Sequence, residues 1–209
     1  MAVFETIRHQ VTIAGKVKDR VTGKPLEDVL IEIVDAPPAY LAMIDTQSRI
    51  YGAAWATMAK RPDRTVTRPD GHFHFMDLPD GTYTVTASCK RFGKRYGTAE
   101  RDVTVSRTPQ GNVILVSSDI LLAPSTVKGR ILRQGASTPV IMAEIRVSGS
   151  LEYSHSDENG DYILAGIEAS AACPRSITVS AVGYQDRTLD VLLPAAGDEV
   201  VLNIQIAPL

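Results

Sequence analysis

Apolar and polar side chains alternate along most of this chain, in short runs rich in β-branched and aromatic residues. Strict alternation over a few residues is typical of a strand with one buried face. The segment 72–75 reads HFHF, and the segment 82–87 alternates threonine with apolar residues. Turn-forming residues separate the runs, as at Pro69-Asp70-Gly71. The pattern therefore predicts an all-β chain of many short strands.

The predicted strands fall into two groups. Those of the first half are 11–13, 16–18, 29–34, 72–75, 82–87, 113–116 and 120–122. Those of the second half are 126–133, 143–148, 161–165, 176–181, 188–192 and 199–206. Frequent turns between short strands favour β-sandwiches over a single large sheet.

The second half repeats the first. Gly15, Pro25, Ile31, Ile33, Asp70-Gly71, Phe73, Phe75 and Leu78 return in order as Gly129, Pro139, Ile145, Val147, Asn159-Gly160, Tyr162, Leu164 and Ile167. A repeat of this length indicates two copies of one domain. We expect an N-terminal tail over residues 1–10, a first domain over 11–123 and a second over 124–209.

The two copies differ by one insertion. Ile33 and Asp70 are 37 positions apart, whereas Val147 and Asn159 are 12 apart, which leaves about 25 extra residues within 35–64 of the first copy. Apolar residues there recur at steps of three and four, which predicts one helix or two short ones between Pro38 and Lys60, with a break at Gly52. The helix either covers its own sheet or projects to bind a partner. Its candidate contact residues are Tyr40, Leu41, Ile44, Tyr51, Trp55 and Met58.

Composition and charge exclude several classes of protein. The formal net charge of −2 favours neither nucleic acid nor anionic lipid. The two cysteines, Cys89 and Cys173, lie at non-matching places in the two copies, so free thiols are expected rather than a disulfide framework. No apolar run is long enough to span a membrane, and the N-terminus lacks the features of a secretory signal, so a cytoplasmic location is expected.

The turns and strands of the first copy resemble the carboxypeptidase regulatory-like family. The motifs are G-x-V-x-D at 15–19, T-G-x-P-L-x-D-V-x-I-x-I at 22–33 and T-x-x-D-G-x-F-x-F-x-D-L-P-x-G-x-Y-x-V-x-A at 67–87. The second copy lacks the L-P-x-G-x-Y turn and has Glu168–Arg175 in its place. The resemblance implies two tandem seven-stranded transthyretin-like (prealbumin-like, Ig-like) β-sandwiches. It also implies modules that fold, space and bind, with no catalytic residue and no cofactor.

A basic run in the first copy is a second candidate for protein binding. Residues 90–96 read KRFGKRY and include Lys90, Arg91, Lys94 and Arg95. Basic and aromatic residues together also suit nucleic acid, but the chain is slightly acidic overall. We therefore expect this run to contact an acidic protein surface.

His72 and His74 are the candidate metal ligands. Residues two apart on a strand lie on the same face, close enough to share an ion, and His9, His155 or Asp77 would have to supply a third ligand. The simpler interpretation is that Phe73 and Phe75 enter the core and both histidines face solvent. A metal-dependent enzyme that uses this pair is therefore an alternative only.

The sequence thus favours a non-enzymatic structural or adaptor protein that binds other proteins. A large cytoplasmic assembly fits this interpretation, such as a phage-tail-like contractile injection system. The main alternative is a carbohydrate-binding module, for which Tyr96, Tyr153 and Tyr184 are the available aromatic platforms.

Overall fold

The computed structural model of the chain describes residues 9–58, 61–115 and 117–209. Most of the predicted tail over 1–10 therefore lies outside the described residues, as do Lys60 and Val116. The chain forms two compact units. The first runs to Arg91 and includes Ala99–Leu121, and the second comprises Phe92–Thr98 and Leu122–Leu209.

The first unit is a sandwich of two antiparallel-dominated sheets. Its strands are β1 (Val11–Asp19), β2 (Leu30–Asp35), β3 (Arg64–Val66), β4 (His72–Met76), β5 (Gly81–Ser88), β6 (Ala99–Val105) and β7 (Ile120–Leu122). One sheet has the order β4-β1-β7 and the other β3-β2-β5-β6. These seven strands match the number that the resemblance implies.

The core of the first unit follows from the alternation in the sequence. Phe73 and Phe75 of β4 are buried, and their rings meet edge to face at 6.4 Å. Tyr83, Val85 and Ala87 of β5 are buried from the opposite sheet. Because successive side chains of a strand point to opposite faces, the intervening histidines and threonines lie outside the core.

The second unit is also a sandwich. Its strands are β8 (Thr126–Arg133), β9 (Glu144–Val147), β10 (Tyr153–His155), β11 (Asp161–Ala165), β12 (Ser170–Ser180), β13 (Arg187–Leu193), β14 (Glu199–Val201) and β15 (Ile204–Ile206). One sheet has the order β10-β9-β12-β13, and in the other β8 pairs with β11, β14 and β15. The predicted strand 199–206 is therefore divided in two. Most of the unmatched segment Glu168–Arg175 belongs to β12, with an irregular register between Ser170 and Arg175.

A glycine explains the division of the last strand. A Cβ atom on Gly129 of β8 would lie 2.1 Å from the main-chain oxygen of Leu202, so only glycine admits this approach. The next residue, Arg130, donates its N–H to Asn203 Oδ1 at 3.0 Å. The first unit repeats the arrangement: a Cβ on Gly15 would lie 2.3 Å from Ser118 O, and the N–H of the following residue is bound by Asp119.

A buried hydroxyl is repeated in both units. Thr67 Oγ1 accepts the N–H of Val29 at 3.0 Å and donates to the Leu26 oxygen at 2.7 Å. Ser156 Oγ accepts the N–H of Ala143 at 2.9 Å and donates to the Val140 oxygen at 2.7 Å. The repeat therefore extends to side chains that join loops to the sheet.

The structure corrects the prediction of a strand over 113–116. Val113 forms only an isolated bridge to Arg107, and Ile114 and Leu115 are 47% and 57% exposed outside any strand. The described part of this run, residues 113–115, lies outside any strand after β6.

Candidate protein-binding site

The insertion of the first unit is helical, as the sequence predicts. It contains α1 (Pro38–Tyr51) and the short α2 (Ala54–Thr57). Pro38 occupies the first helical turn, where a missing N–H costs nothing. Gly52 ends α1 with a φ of 54°, a left-handed conformation that glycine adopts without strain, and its N–H bonds to the Ser48 oxygen at 2.9 Å.

Tyr40 anchors α1 to the sandwich. Its side chain is buried, its ring meets Tyr83 edge to face at 5.7 Å, and its hydroxyl donates to the Pro62 oxygen at 2.9 Å. Burial raises the pKa of the Tyr40 phenol above its ordinary value, with Asp63 and Tyr83 adding to the shift. The prediction that Tyr40 contacts a partner is therefore wrong, because its ring belongs to the core of its own unit.

A second set of contacts closes the end of the insertion. The rings of Tyr51 and Trp55 stack at 6.1 Å, and the Arg61 guanidinium lies 4.4 Å from the centroid of the Trp55 ring. Arg61 Nε in turn donates to Asp63 Oδ1 at 2.8 Å. Trp55 and Met58 are half-buried by this arrangement. Cation–π and ion-pair contacts thus hold the C-terminal end of the insertion, while Tyr40 holds its first turn against the sheet.

Most of α1 faces solvent. Tyr40 is its one buried residue. Leu41, Met43, Ile50 and Tyr51 are 40%, 39%, 73% and 50% exposed, whereas Ile44 is half-buried. Met43 and Ile50 are seven residues apart and therefore lie on the same side of the helix. Sequence analysis selected Leu41 and Tyr51 but missed these two, although their spacing is a helical signal.

The basic run is divided between the two units. Lys90 and Arg91 belong to the first unit, at a short 3₁₀ turn over Lys90–Phe92 that begins there. Arg91 Nη1 pairs with Glu27 at 3.1 Å and also with Asp28. Lys90 is exposed and forms no ion pair with any described residue.

The rest of the run is part of the second unit. Arg95 pairs with Glu152, lies 3.5 Å from Glu168 and donates to the Gly166 oxygen at 2.9 Å. The Lys94 side chain is exposed, while its N–H donates to Glu168 at 2.9 Å. Arg95 is thus occupied by carboxylates of its own chain, which leaves Lys90 and Lys94 as the accessible cations of the predicted patch.

The two candidate metal ligands lie on β4 outside the core. His72 Nδ1 is 3.0 Å from an Asp70 carboxylate oxygen, and His74 is half-buried. Among the described residues, no group of three or more His, Cys, Asp or Glu side chains is placed to hold a metal ion. His9 instead pairs with Asp77 at 2.6 Å. The structure therefore does not bring the proposed third ligand to this pair.

The three candidate aromatic platforms differ in exposure. Tyr96 and Tyr184 are half-buried, the first beside Phe92 and the second against the core of the second unit. Tyr153 is 57% exposed, and the Arg146 guanidinium lies 5.1 Å from its ring centroid. The three tyrosines thus provide a single exposed ring.

Helices of the described chain are all too short or too polar to cross a bilayer.

Comparison with known proteins identifies both copies of the repeat. Residues 12–116 and 126–207 match the sequence model of the carboxypeptidase regulatory-like domain. These segments contain the motifs singled out in each half. No curated protein sequence matches the chain.

Solved structures resemble the chain at low identity. The shaft pilin SpaA from Lactobacillus rhamnosus GG is 14% identical, with 96% of this chain and 98% of the pilin covered and a TM-score of 0.42. The Bacillus anthracis TIE protein is 10% identical, with 95% of this chain covered and a TM-score of 0.39. A type II cohesin–X-dockerin complex from Acetivibrio cellulolyticus is 16% identical over 39% of this chain, with a TM-score of 0.34. The chain spans only 34% of the TIE protein and 56% of the matched chain in that complex.

Proposed function

The chain belongs to the carboxypeptidase regulatory-like domain family, and from that premise we propose that it is a non-enzymatic structural protein that binds another protein through the insertion of its first unit. The observation that carries this proposal is the exposure of α1. A helix of 14 residues buries a single side chain and presents Met43 and Ile50 to solvent. Surface helices normally bury an apolar stripe on their own domain.

The contacts of the insertion favour binding of a partner over coverage of its own sheet. Isolated helices of this length are marginal in water, so α1 depends on its anchors at Tyr40 and at the Tyr51–Trp55–Arg61 stack. These contacts hold the two ends of the insertion, and the residues between them remain accessible to solvent. An ordered helix with accessible apolar residues fits a hydrophobic groove on a partner.

The assembly to which the partner belongs is a more specific hypothesis. We propose that the partner belongs to a larger assembly in which small sandwiches serve as spacers, and a contractile injection system is one such assembly. Identification of the partner decides between such assemblies.

Site-specific photocrosslinking tests the proposed function. A photoreactive amino acid replaces Ile50 in one variant and Val182, which is fully exposed in the second unit, in a matched control. Both variants are expressed in the native host. We expect one discrete protein adduct at position 50 and none at position 182. Equal adducts at both positions, or none at position 50, would contradict the proposal.

A carbohydrate-binding module is the second candidate, and exposed Tyr153 is the observation that favours it. Aromatic rings and neighbouring polar groups are what a sugar-binding surface needs, and Arg146 and His155 both contact this ring. A glycan array tests it. Binding that disappears in Tyr153→Ala would support this candidate, and an array without hits would remove it.

A further inference from the structure

A cleft of about 880 Å³ lies beside the C-terminal end of the insertion, within the first unit. It is lined by β3 and the residues on either side of it, by β4 and by Leu30 of β2. Strands β3 and β4 are edge strands of the two different sheets. The cleft therefore opens where the sandwich is not closed by hydrogen bonding, and it is continuous with the insertion through Arg61 and Pro62.

The lining of this cleft is basic. Arg61, Arg64, Arg68 and His74 contribute to it, and no lining residue is acidic. Arg61 is neutralised by the buried carboxylate of Asp63. Arg64 instead donates to main-chain oxygens, those of Met58 and Ala56. Its positive charge is therefore not matched by a carboxylate.

The remaining charges nearby do not neutralise the cleft. Arg68 is exposed and forms no ion pair with any residue that the structure describes. Glu32 lies opposite Arg64 in the β2–β3 register and its charge contributes to the raised pKa of Arg61, but its carboxylate forms no ion pair with Arg64 or Arg68 in the described chain. The Arg68 guanidinium is thus available to an external anion, together with the part of the Arg64 guanidinium that does not bond to Met58 and Ala56, and guanidinium is well suited to carboxylates.

The spacing of these residues indicates an extended ligand. Arg64, Val66 and Arg68 are two residues apart, about 6.8 Å per step in extended chain. Val66 and Met76 are 54% and 45% exposed, and Leu30 stands opposite Val66, so apolar surface accompanies the charges. An extended segment that matches this row on one face has two acidic residues four positions apart with an apolar residue midway between them.

We propose that this cleft binds an acidic peptide segment of the protein partner, in extended conformation along the edge of β3. The inference rests on the proposed function and names the chemistry of the partner. On this edge the N–H groups of Arg64 and Arg68 already donate to the main-chain oxygens of Arg61 and His72, at 3.4 and 2.9 Å, so side chains rather than an added strand bind the peptide. Arg64 and Arg68 bind the two carboxylates, and the apolar residue midway between them contacts Val66.

The direct test is a titration of the full chain with a labelled peptide, capped at both ends, of sequence Glu-Ser-Val-Ser-Glu. The uncharged analogue Gln-Ser-Val-Ser-Gln and inorganic phosphate are measured in parallel by fluorescence anisotropy and by competition. We expect the acidic peptide to bind, with an affinity that falls as salt is raised, and the analogue to bind at least about tenfold more weakly. Equal binding of both peptides, or complete competition by millimolar phosphate, would overturn the proposal.

Variants locate the binding to the cleft. Arg68→Gln and Arg64→Gln are each expected to weaken peptide binding about tenfold, as the loss of one charge-assisted hydrogen bond would do. Arg20→Gln, which removes an exposed arginine of the same unit outside the cleft, is expected to change nothing. Because Arg64 also holds the end of the insertion, Arg68→Gln with an unchanged melting temperature is the deciding variant.

The cleft proposal and the proposed function can fail independently of each other. If Arg68→Gln leaves peptide binding unchanged while the adduct at position 50 persists, the cleft proposal fails and the insertion remains the binding element. If the peptide binds through Arg68 but position 50 gives no adduct, the cleft stands and docking through α1 fails.

Discussion

The hydroxyl of Tyr40 donates a hydrogen bond to the main-chain oxygen of Pro62 at 2.9 Å, which joins the first turn of α1 to the chain leaving the insertion. We expect Tyr40→Phe to lower the free energy of unfolding of the first domain by about 1 kcal/mol, because a partly buried hydrogen bond is lost. Tyr40→Ala also removes the ring and is expected to cost about 3–5 kcal/mol. Urea denaturation measures both.

Tyr51→Phe is the control for this pair. Tyr51 is 50% exposed and stacks on Trp55 through its ring, so loss of its hydroxyl is expected to change stability by less than about 0.5 kcal/mol. If Tyr40→Phe is as harmless as Tyr51→Phe, the bond to Pro62 does not anchor the helix.

The close approach at Gly129 predicts a steric effect in the second domain. Gly129→Ala places a methyl group 2.1 Å from the Leu202 oxygen and forces the last strand to move, which is expected to cost about 3 kcal/mol. Gly135→Ala is the matched control, since its φ of 76° strains alanine but nothing lies within 4 Å. That change should cost about 1 kcal/mol. Thermal unfolding compares them, and equal losses would argue against the contact.

The repeated buried hydroxyl predicts parallel losses in the two domains. Thr67→Val and Ser156→Ala each leave one N–H and one carbonyl without a partner, at an expected cost of about 1–3 kcal/mol. Thr67→Ser keeps both hydrogen bonds and should restore most of the stability. Failure of serine to do so in denaturant titrations would assign the loss to packing of the methyl group.

The ion pair of Arg95 with Glu152 predicts that Phe92–Thr98 stabilises the second domain. Their side chains are 32% and 19% exposed, so the pair is partly shielded from water. A double-mutant cycle with Arg95→Gln and Glu152→Gln is expected to give a coupling of about 1–2 kcal/mol. The more exposed pair of Arg130 with Asp161, 49% and 48% exposed, should give below about 0.5 kcal/mol. Similar couplings in both cycles would contradict a structural role for the loop.

Local patterns in the sequence predicted the fold well. The paired spacings around Gly15 and Gly129 indicated two copies, and the family match confirms them. Proline at the start and glycine at the break also placed α1 correctly, because each acts through its own backbone geometry. Short-range rules suffice where the cause lies within a few residues.

Long-range contacts could not be predicted in the same way. Helical periodicity places Tyr40 and Ile44 on one face, but the groups that Tyr40 contacts, Tyr83 and Pro62, are distant in the sequence. Likewise Arg95 looks like an exposed basic residue until Glu152 and Glu168 are brought to it. The basic cleft could not be predicted, because Arg64 and His74 belong to the edge strands of two different sheets and line one cleft only in the folded domain.

The central claim is that the exposed face of α1 binds the partner, and its affinity for the crosslinked protein is the most direct measure. Isothermal titration compares the native chain, the double variant Met43→Ser/Ile50→Ser and the control Val182→Ser. These side chains are exposed, so all three proteins should melt alike. We predict that the double variant binds at least about tenfold more weakly while the control is unchanged. An unchanged dissociation constant for the double variant would contradict the claim.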